Sequence, residues 1–336
     1  MKISDFDYEL PDELIAQNAI EPRSASRLLH IEKTTGEVHH CQFLDCLDLL
    51  EAGDLLVLNE TRVTARRVFG QKSTGGQIEL LILRQVSESE VLALSKPAKR
   101  LKACTRIRLD SGEEAEVTEE REGGIRQIRF LESQNLSTTL SQLGQIPLPP
   151  YIHTLLEDEE RYQTTYSSIG GSAAAPTAGL HFTPELLEQL NKKGVNFTKV
   201  SLDVGLDTFR PITAETTLAH EMHGETCRIS SKTVEDIHNC AGRVIAVGTT
   251  SVRTIESFSK GHRQLSEGEM STHLFITPGY KWQTIDGMFT NFHMPRTTML
   301  LMLAAMCGKD ALMSAYDQAV NKRYRFLSLG DSMLIL

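Results

Sequence analysis

The sequence predicts an α/β domain, formed from both ends of the chain, that carries a small antiparallel β-barrel as an insertion. Three observations predict it. Strand–helix alternation marks residues 1–62 and 151–336, most clearly in "GRVIAVGTTSVRTIESF", where the apolar run Val244 to Val247 breaks at Gly248 and hydroxyl residues open a helix. Residues 63–150 instead carry short β-rich runs separated by turn residues. The connector "GQIPLPPYI" is stiffened by prolines and marks the return to the first domain.

The elements follow in order. "LPDELIAQ" predicts a short helix, and "SRLLHIEKTTGEVHHCQF" a hairpin turned at Thr35-Gly36. "FLDCLDLLEAGDLLVLN" predicts a helix and then a buried strand. The barrel strands are "VTARRVFG", "QIELLILR", "EVLALS", "TRIRL", "EEAEVTEE" and "IRQIRFL". Turns at Thr74-Gly75-Gly76, Ser87 to Ser89, Ser111-Gly112 and Gly123-Gly124 separate most of them. In "GSAAAPTAGLHFTPELLEQL", Thr183 caps a helix, Pro184 takes its first position, Leu186, Leu187 and Leu190 form its inner stripe, and Gly194 stops it. "FTNFHMPRTTMLLMLAAMCG" predicts another strand and helix, with Pro295 near the helix start and Gly308 as its stop.

Composition bounds the function. The 336 residues are 40% apolar and 24% charged, ordinary for a soluble globular chain of two domains. The six cysteines are scattered without a C-x-x-C pair, which argues against a zinc ribbon or disulfide framework. The start "MKISDFDYEL" lacks the apolar core of a secretory signal, and the longest apolar run, Met299 to Cys307, is too short to span a bilayer. A cytoplasmic protein is expected. The net charge of −9 repels nucleic acid, so an RNA partner needs a local basic patch. "KPAKRLKACTRIR" supplies one, with Lys96, Lys99, Arg100 and Lys102 leading; its plainer reading is a solvated edge.

Motifs for dinucleotide, P-loop, α/β-hydrolase and zincin chemistry are absent. Four constellations remain. The smooth stretch before Thr183 lets a ligand approach the backbone, with Thr177 and His181 as hydrogen-bonding groups; tight loop packing is the alternative. "GTTSVR" offers Gly248, Thr249 and Thr250 at a helix start, with Arg253 nearby, as a cradle for carboxylate or phosphate; ordinary capping is the alternative. "HEMHGE" offers His223 and Glu225 as an acid/base pair; no further ligand stands at a spacing that argues for metal, and none is expected. In "TNFHMP", His293 falls where a strand ends and a helix begins, although a lone histidine is commonly structural.

Together these segments resemble the S-adenosylmethionine:tRNA ribosyltransferase-isomerases of queuosine biosynthesis. The resemblance is carried across nearly the whole chain by "FDYELPDELIAQ", "LNETRVTARRVFG", "KPAKRLK", "GSAAAPTAGLHFT", "HEMHGE", "GRVIAVGTTSVRTIES", "PGYKWQTIDGMFTNFHMPRTTMLLML" and "YRFLSLGDSMLI". It implies an α/β domain with an inserted barrel. It implies transfer and isomerisation of the ribosyl unit of S-adenosylmethionine onto 7-aminomethyl-7-deazaguanine at the tRNA wobble position. Adenine and methionine leave, and epoxyqueuosine-tRNA is the product. S-adenosylmethionine is then a consumed co-substrate, no resident cofactor is needed, and a monomer is expected. An RNA methyltransferase and a non-catalytic tRNA-binding protein are the alternatives.

Such chemistry needs a pocket for a flat base, a ribose and an amino-acid tail. Ala174, Ala175, Pro176, Thr177, Gly179 and Phe182 are expected to line it, with His223 and Glu225 as acid/base groups and His181 and His293 positioning substrate or moving protons. Two departures stand in "LDVGLDTFRP": Asp203 and Asp207 replace a His and a Gly common in the family. Ala173 likewise stands where Val is usual. A carboxylate also accepts protons, so Asp203 is expected to be tolerated.

Overall fold

A computed structural model describes residues 1–131, 136–205, 215–217, 222 and 224–336. The chain divides into two compact units. One comprises Met1–Thr61, Pro149–Ile169 and Ala175–Leu336; the other comprises Arg62–Leu148 and Gly170–Ala174.

The first unit is built on a nine-stranded sheet. Its order is Gly268–Thr272, Glu225–Ile229, Asn196–Leu202, Leu55–Asn59, Val244–Val247, Gly287–Asn291, Ser332–Ile335, Arg27–Ile31 and Val38–Gln42. The four middle strands, Asn196–Leu202 to Gly287–Asn291, run parallel to their neighbours within that group. Leu55–Asn59, Val244–Val247 and Gly287–Asn291 are buried at every position, the pattern of parallel strands covered on both faces. Ser332–Ile335 lies between Gly287–Asn291, antiparallel, and Arg27–Ile31, parallel, with Leu28 opposite Ser332.

One apolar layer gathers Leu28, Phe43, Leu56, Phe182, Leu186, Leu190, Ile245 and Phe289. Helix Pro184–Lys193 belongs to it and follows its sequence signals: Thr183 accepts from the Leu186 N–H, and Gly194 ends the helix at φ +94°. "LPDELIAQ" does not form the expected helix. Only a 3₁₀ turn, Asp12–Leu14, appears, because Ile15 pairs with Phe326 and takes the backbone into an extended path. Tertiary pairing overrides local propensity there. Among the described residues no single helix is long and apolar enough to cross a membrane.

The second unit is a closed six-stranded antiparallel barrel. Its strands run Ile125–Phe130, Glu90–Lys96, Gln77–Gln85, Arg66–Lys72, Arg106–Leu109 and Glu114–Glu120 around the circuit. Each coincides with one of the β-rich runs in the sequence. Alternate residues fill the interior, among them Val68, Leu80, Ile82, Val91, Ile107, Val117 and Ile128. Gly70 permits close strand approach: a Cβ there would meet the Arg108 carbonyl oxygen at 2.5 Å. The fold is therefore mixed α/β with an antiparallel barrel, as the sequence predicts.

Candidate active site

A cavity opens where the central parallel strands end. Carboxyl ends of such strands are the usual ligand position in open α/β sheets. Val204 lies just beyond one strand, Gly248 beyond the next, and Asn291 and Phe292 at the end of a third. Ala175, Pro176, Thr177 and Ala178 form a further wall. Tyr151, Met294 and Ser328 also contribute, and among the described residues no lining side chain carries a formal charge apart from the ionisable His293.

Gly248 precedes helix Thr249–Phe258 at φ +91°, and among the described residues no side chain makes a capping hydrogen bond to the helix start. The first N–H groups of such a helix lack intrahelical partners. Thr249 and Thr250 line the cavity beside them. Thr250 Oγ1 accepts from Asn59 Nδ2 at 3.2 Å, while Asn59 Oδ1 accepts from Thr61 and from the Leu202 N–H. Ser251 does not cap the helix; its hydroxyl donates back to the Val247 carbonyl at 2.8 Å. The capping alternative read from "GTTSVR" therefore does not describe this turn.

Two expected site residues are histidines, His181 buried and His293 half-buried at the cavity. His293 lines the cavity, with Nε2 2.7 Å from Thr290 Oγ1. Its backbone carbonyl accepts from the Tyr8 hydroxyl and its N–H donates to Tyr316 Oη. Burial depresses its pKa to about 3. His181 lies outside the cavity lining but contacts it through Asn291: Nε2 is 3.4 Å from Asn291 Nδ2, and Nδ1 is 2.8 Å from Ser26 Oγ. Burial, aided by the charges of Arg23, Arg325 and Arg161, depresses its pKa to about 4. Both rings are neutral near pH 7, which suits positioning rather than a cationic proton donor.

The small-residue stretch divides. Ala175, Pro176 and Thr177 reach the cavity as expected, but Ala174, Gly179 and Phe182 do not. Phe182 packs in the core, 5.0 Å from the Phe43 ring and 5.4 Å from Phe289. Gly179 makes room for another side chain: a Cβ there would lie 2.0 Å from Tyr166 Oη.

Arg253 is also absent from the lining. Its guanidinium closes on Glu225 Oε2 and donates to the carbonyls of Thr272 and Leu274. Glu225 Oε1 accepts from the Gly205 N–H at 3.2 Å. Glu225 is 8% exposed, so the pair is buried and holds elements together rather than facing the cavity. The sequence leads us to expect Arg253 to help hold an anion and Glu225 to act with His223 as an acid/base pair; the structure joins Arg253 and Glu225 to each other. His223 and Asp207 lie outside the described residues, as does His220. Asp203 is half-buried; its Oδ1 has no hydrogen-bond partner among the described residues. Burial raises its pKa, Arg228 at 3.9 Å opposes the shift, and Glu269 and Glu225 add to it. Among the described residues no three metal-ligating side chains cluster.

In the barrel unit, Lys96, Lys99, Arg100 and Lys102 are all exposed. Lys102 pairs with Glu120 at 3.0 Å. Beneath them Arg126, 5% exposed, donates to the carbonyls of Leu101 at 2.6 Å and Ala98 at 2.7 Å. The turn that carries Lys99 and Arg100 thus has a buried cationic base.

Asn291, Tyr151, Val204 and Ser328 line the cavity without having been singled out in the sequence. Asn291 had a usable signal: it is the polar end of an apolar strand, two residues before His293. Tyr151 and Ser328 are distant in sequence and meet through a 2.7 Å contact between their hydroxyls.

The comparisons agree with this architecture. A family model described as queuosine biosynthesis protein matches residues 3–335. The crystal structure of S-adenosylmethionine tRNA ribosyltransferase from Thermotoga maritima is similar at 36% identity, covering 99% of this chain and 100% of that one, with a TM-score of 0.58. With the family pattern spanning both the cavity and the barrel, the chain belongs to the queuosine biosynthesis protein family.

Proposed function

We propose that the protein is an S-adenosylmethionine:tRNA ribosyltransferase-isomerase. The observation that carries the reading is similarity over 99% of the chain to a protein of that ribosyltransferase activity. The reaction moves the ribosyl unit of S-adenosylmethionine to the aminomethyl group of 7-aminomethyl-7-deazaguanine in a tRNA anticodon. Rearrangement to the epoxycyclopentane releases adenine and methionine.

The cavity geometry supports a division of labour. The open start of helix Thr249–Phe258 suits the methionyl carboxylate. The Ala175 to Ala178 wall suits the ligand body. His293 positions groups around the cavity, and His223 carries the acid/base assignment now that Glu225 is paired with Arg253. Lys96, Lys99, Arg100 and Lys102 serve tRNA phosphates. S-adenosylmethionine is consumed, no resident cofactor or metal is required, and the enzyme works as a cytoplasmic monomer.

The decisive assay combines purified protein, ribosyl-labelled S-adenosylmethionine and tRNA carrying the deazaguanine precursor. Release of adenine and methionine with label entering the tRNA is expected. Methyl transfer without adenine release would select the methyltransferase, and tight tRNA binding without turnover would select the non-catalytic reading.

A further inference from the structure

Asn291 presents its carboxamide to the cavity from the end of a fully buried strand. Two groups hold that amide. The Thr177 hydroxyl donates to Oδ1 at 2.7 Å, and Nδ2 lies 3.4 Å from His181 Nε2. His181 is held in turn by Ser26, with Nδ1 to Oγ at 2.8 Å. The tautomer assigned from this chain carries hydrogen on Nδ1, leaving Nε2 to accept from Asn291. Asn291 is 4% exposed and His181 5%, so water does not substitute readily for either partner.

A carboxamide offers two donor hydrogens and two acceptor positions. Thr177 uses one acceptor position and His181 one donor. Among the described residues, one donor and one acceptor remain for a ligand. A planar group with that pair matches adenine, which sets its 6-amino donor beside a ring-nitrogen acceptor. The amino-acid tail of S-adenosylmethionine also has donors and acceptors, but it is charged. It fits the helix start at Gly248, whereas the uncharged wall of Ala175, Pro176, Ala178 and Met294 suits a neutral base.

We propose that Asn291 reads the adenine of S-adenosylmethionine through a paired donor–acceptor contact, with Thr177 and His181 as positioning residues that fix its amide. This rests on the proposed ribosyltransferase activity.

Calorimetric titration with S-adenosylmethionine and its 6-oxo analogue, S-inosylmethionine, tests it. The analogue replaces the 6-amino donor with an acceptor, so a fixed amide mispairs. Wild-type protein is expected to prefer S-adenosylmethionine by roughly ten- to hundredfold, the range for one good bidentate pair. Asn291→Leu should bring the ratio close to one. Thr177→Val nearly keeps the side-chain shape and should narrow the ratio by releasing the amide; it keeps the test valid should the leucine variant fail to fold. An unchanged ratio in folded variants, or no preference in wild-type protein, overturns the inference. Wild-type protein that binds neither compound overturns the ribosyltransferase reading itself.

Discussion

The guanidinium of Arg253 is closed onto the carboxylate of Glu225, with both side chains under a tenth exposed. A buried ion pair adds little over an apolar pair of the same shape, yet breaking it is costly because one charge is left unpaired. Arg253→Met is therefore expected to lower stability by ~3–5 kcal/mol. Replacing both residues with methionine should recover part of that loss. Urea unfolding of the single and double variants measures both effects, and equal losses in the two would show that the pairing is energetically idle.

The neutral histidines predict an acid-sensitive fold. An unfolded histidine takes up a proton below its ordinary pKa of 6.5, whereas folded His181 resists until about 4 and His293 until about 3. Unfolding therefore binds protons in this window, and stability is lost as pH falls from about 6.5 towards those values. Each residue contributes a slope of up to ~1.4 kcal/mol per pH unit. In urea titrations between pH 7 and 5, His293→Gln should show a shallower loss than wild type, and parallel curves would contradict the assignment.

Gly248 sets the entrance of the helix at the cavity. Its φ of +91° excludes most side chains, although a Cβ would meet nothing closer than 3.5 Å. The penalty for Gly248→Ala is thus conformational, ~1–3 kcal/mol, rather than steric. If the helix start holds the methionyl carboxylate, relief of that strain should displace the turn and weaken S-adenosylmethionine binding as well. Calorimetry beside thermal melting separates the two: lowered stability with full affinity would remove the turn from the binding site.

The exposed barrel turn gives an RNA-specific expectation. Charge reversal at Lys99 and Arg100 should weaken tRNA binding and flatten its salt dependence, by roughly 0.7–0.9 in the log–log slope for each phosphate that is no longer neutralised. Arg126→Met removes the donors that gather the Ala98 and Leu101 carbonyls, and is expected to weaken tRNA binding without removing an exposed charge. Filter binding across a salt series would show it. Unchanged tRNA affinity in all these variants would redirect the search to the "NKRYR" segment, Lys322, Arg323 and Arg325.

Legibility followed the range of the interactions. The barrel strands were readable because alternation and turn residues act locally, as Arg106–Leu109 shows with exposed and buried positions in turn. The same holds for the Thr183 cap and Gly194 stop. "LPDELIAQ" misled because its partner, Phe326, is remote in the chain. At the site, the strand-end logic found Gly248 and His293, and small side chains found Ala175 and Pro176. It could not show that Arg253 is already paired with Glu225, or that Gly179 serves Tyr166 rather than a ligand. Those facts depend on which way a side chain leaves the backbone once distant segments meet.

The place of Ser332–Ile335 between Gly287–Asn291 and Arg27–Ile31 has a temporal consequence. During synthesis, the hairpin of Arg27–Ile31 and Val38–Gln42 emerges among the first strands, but its parallel neighbour is among the last. Until residue 332 is made, Leu28 and Leu29 have nothing to pair with on that side, and the hairpin waits as an open edge. Pairings of such separation also close slowly. The sheet therefore works as a clasp: early and late parts of the chain must both be present before it shuts. A chain interrupted just short of this strand would carry nearly every cavity residue yet expose an adhesive edge to its neighbours.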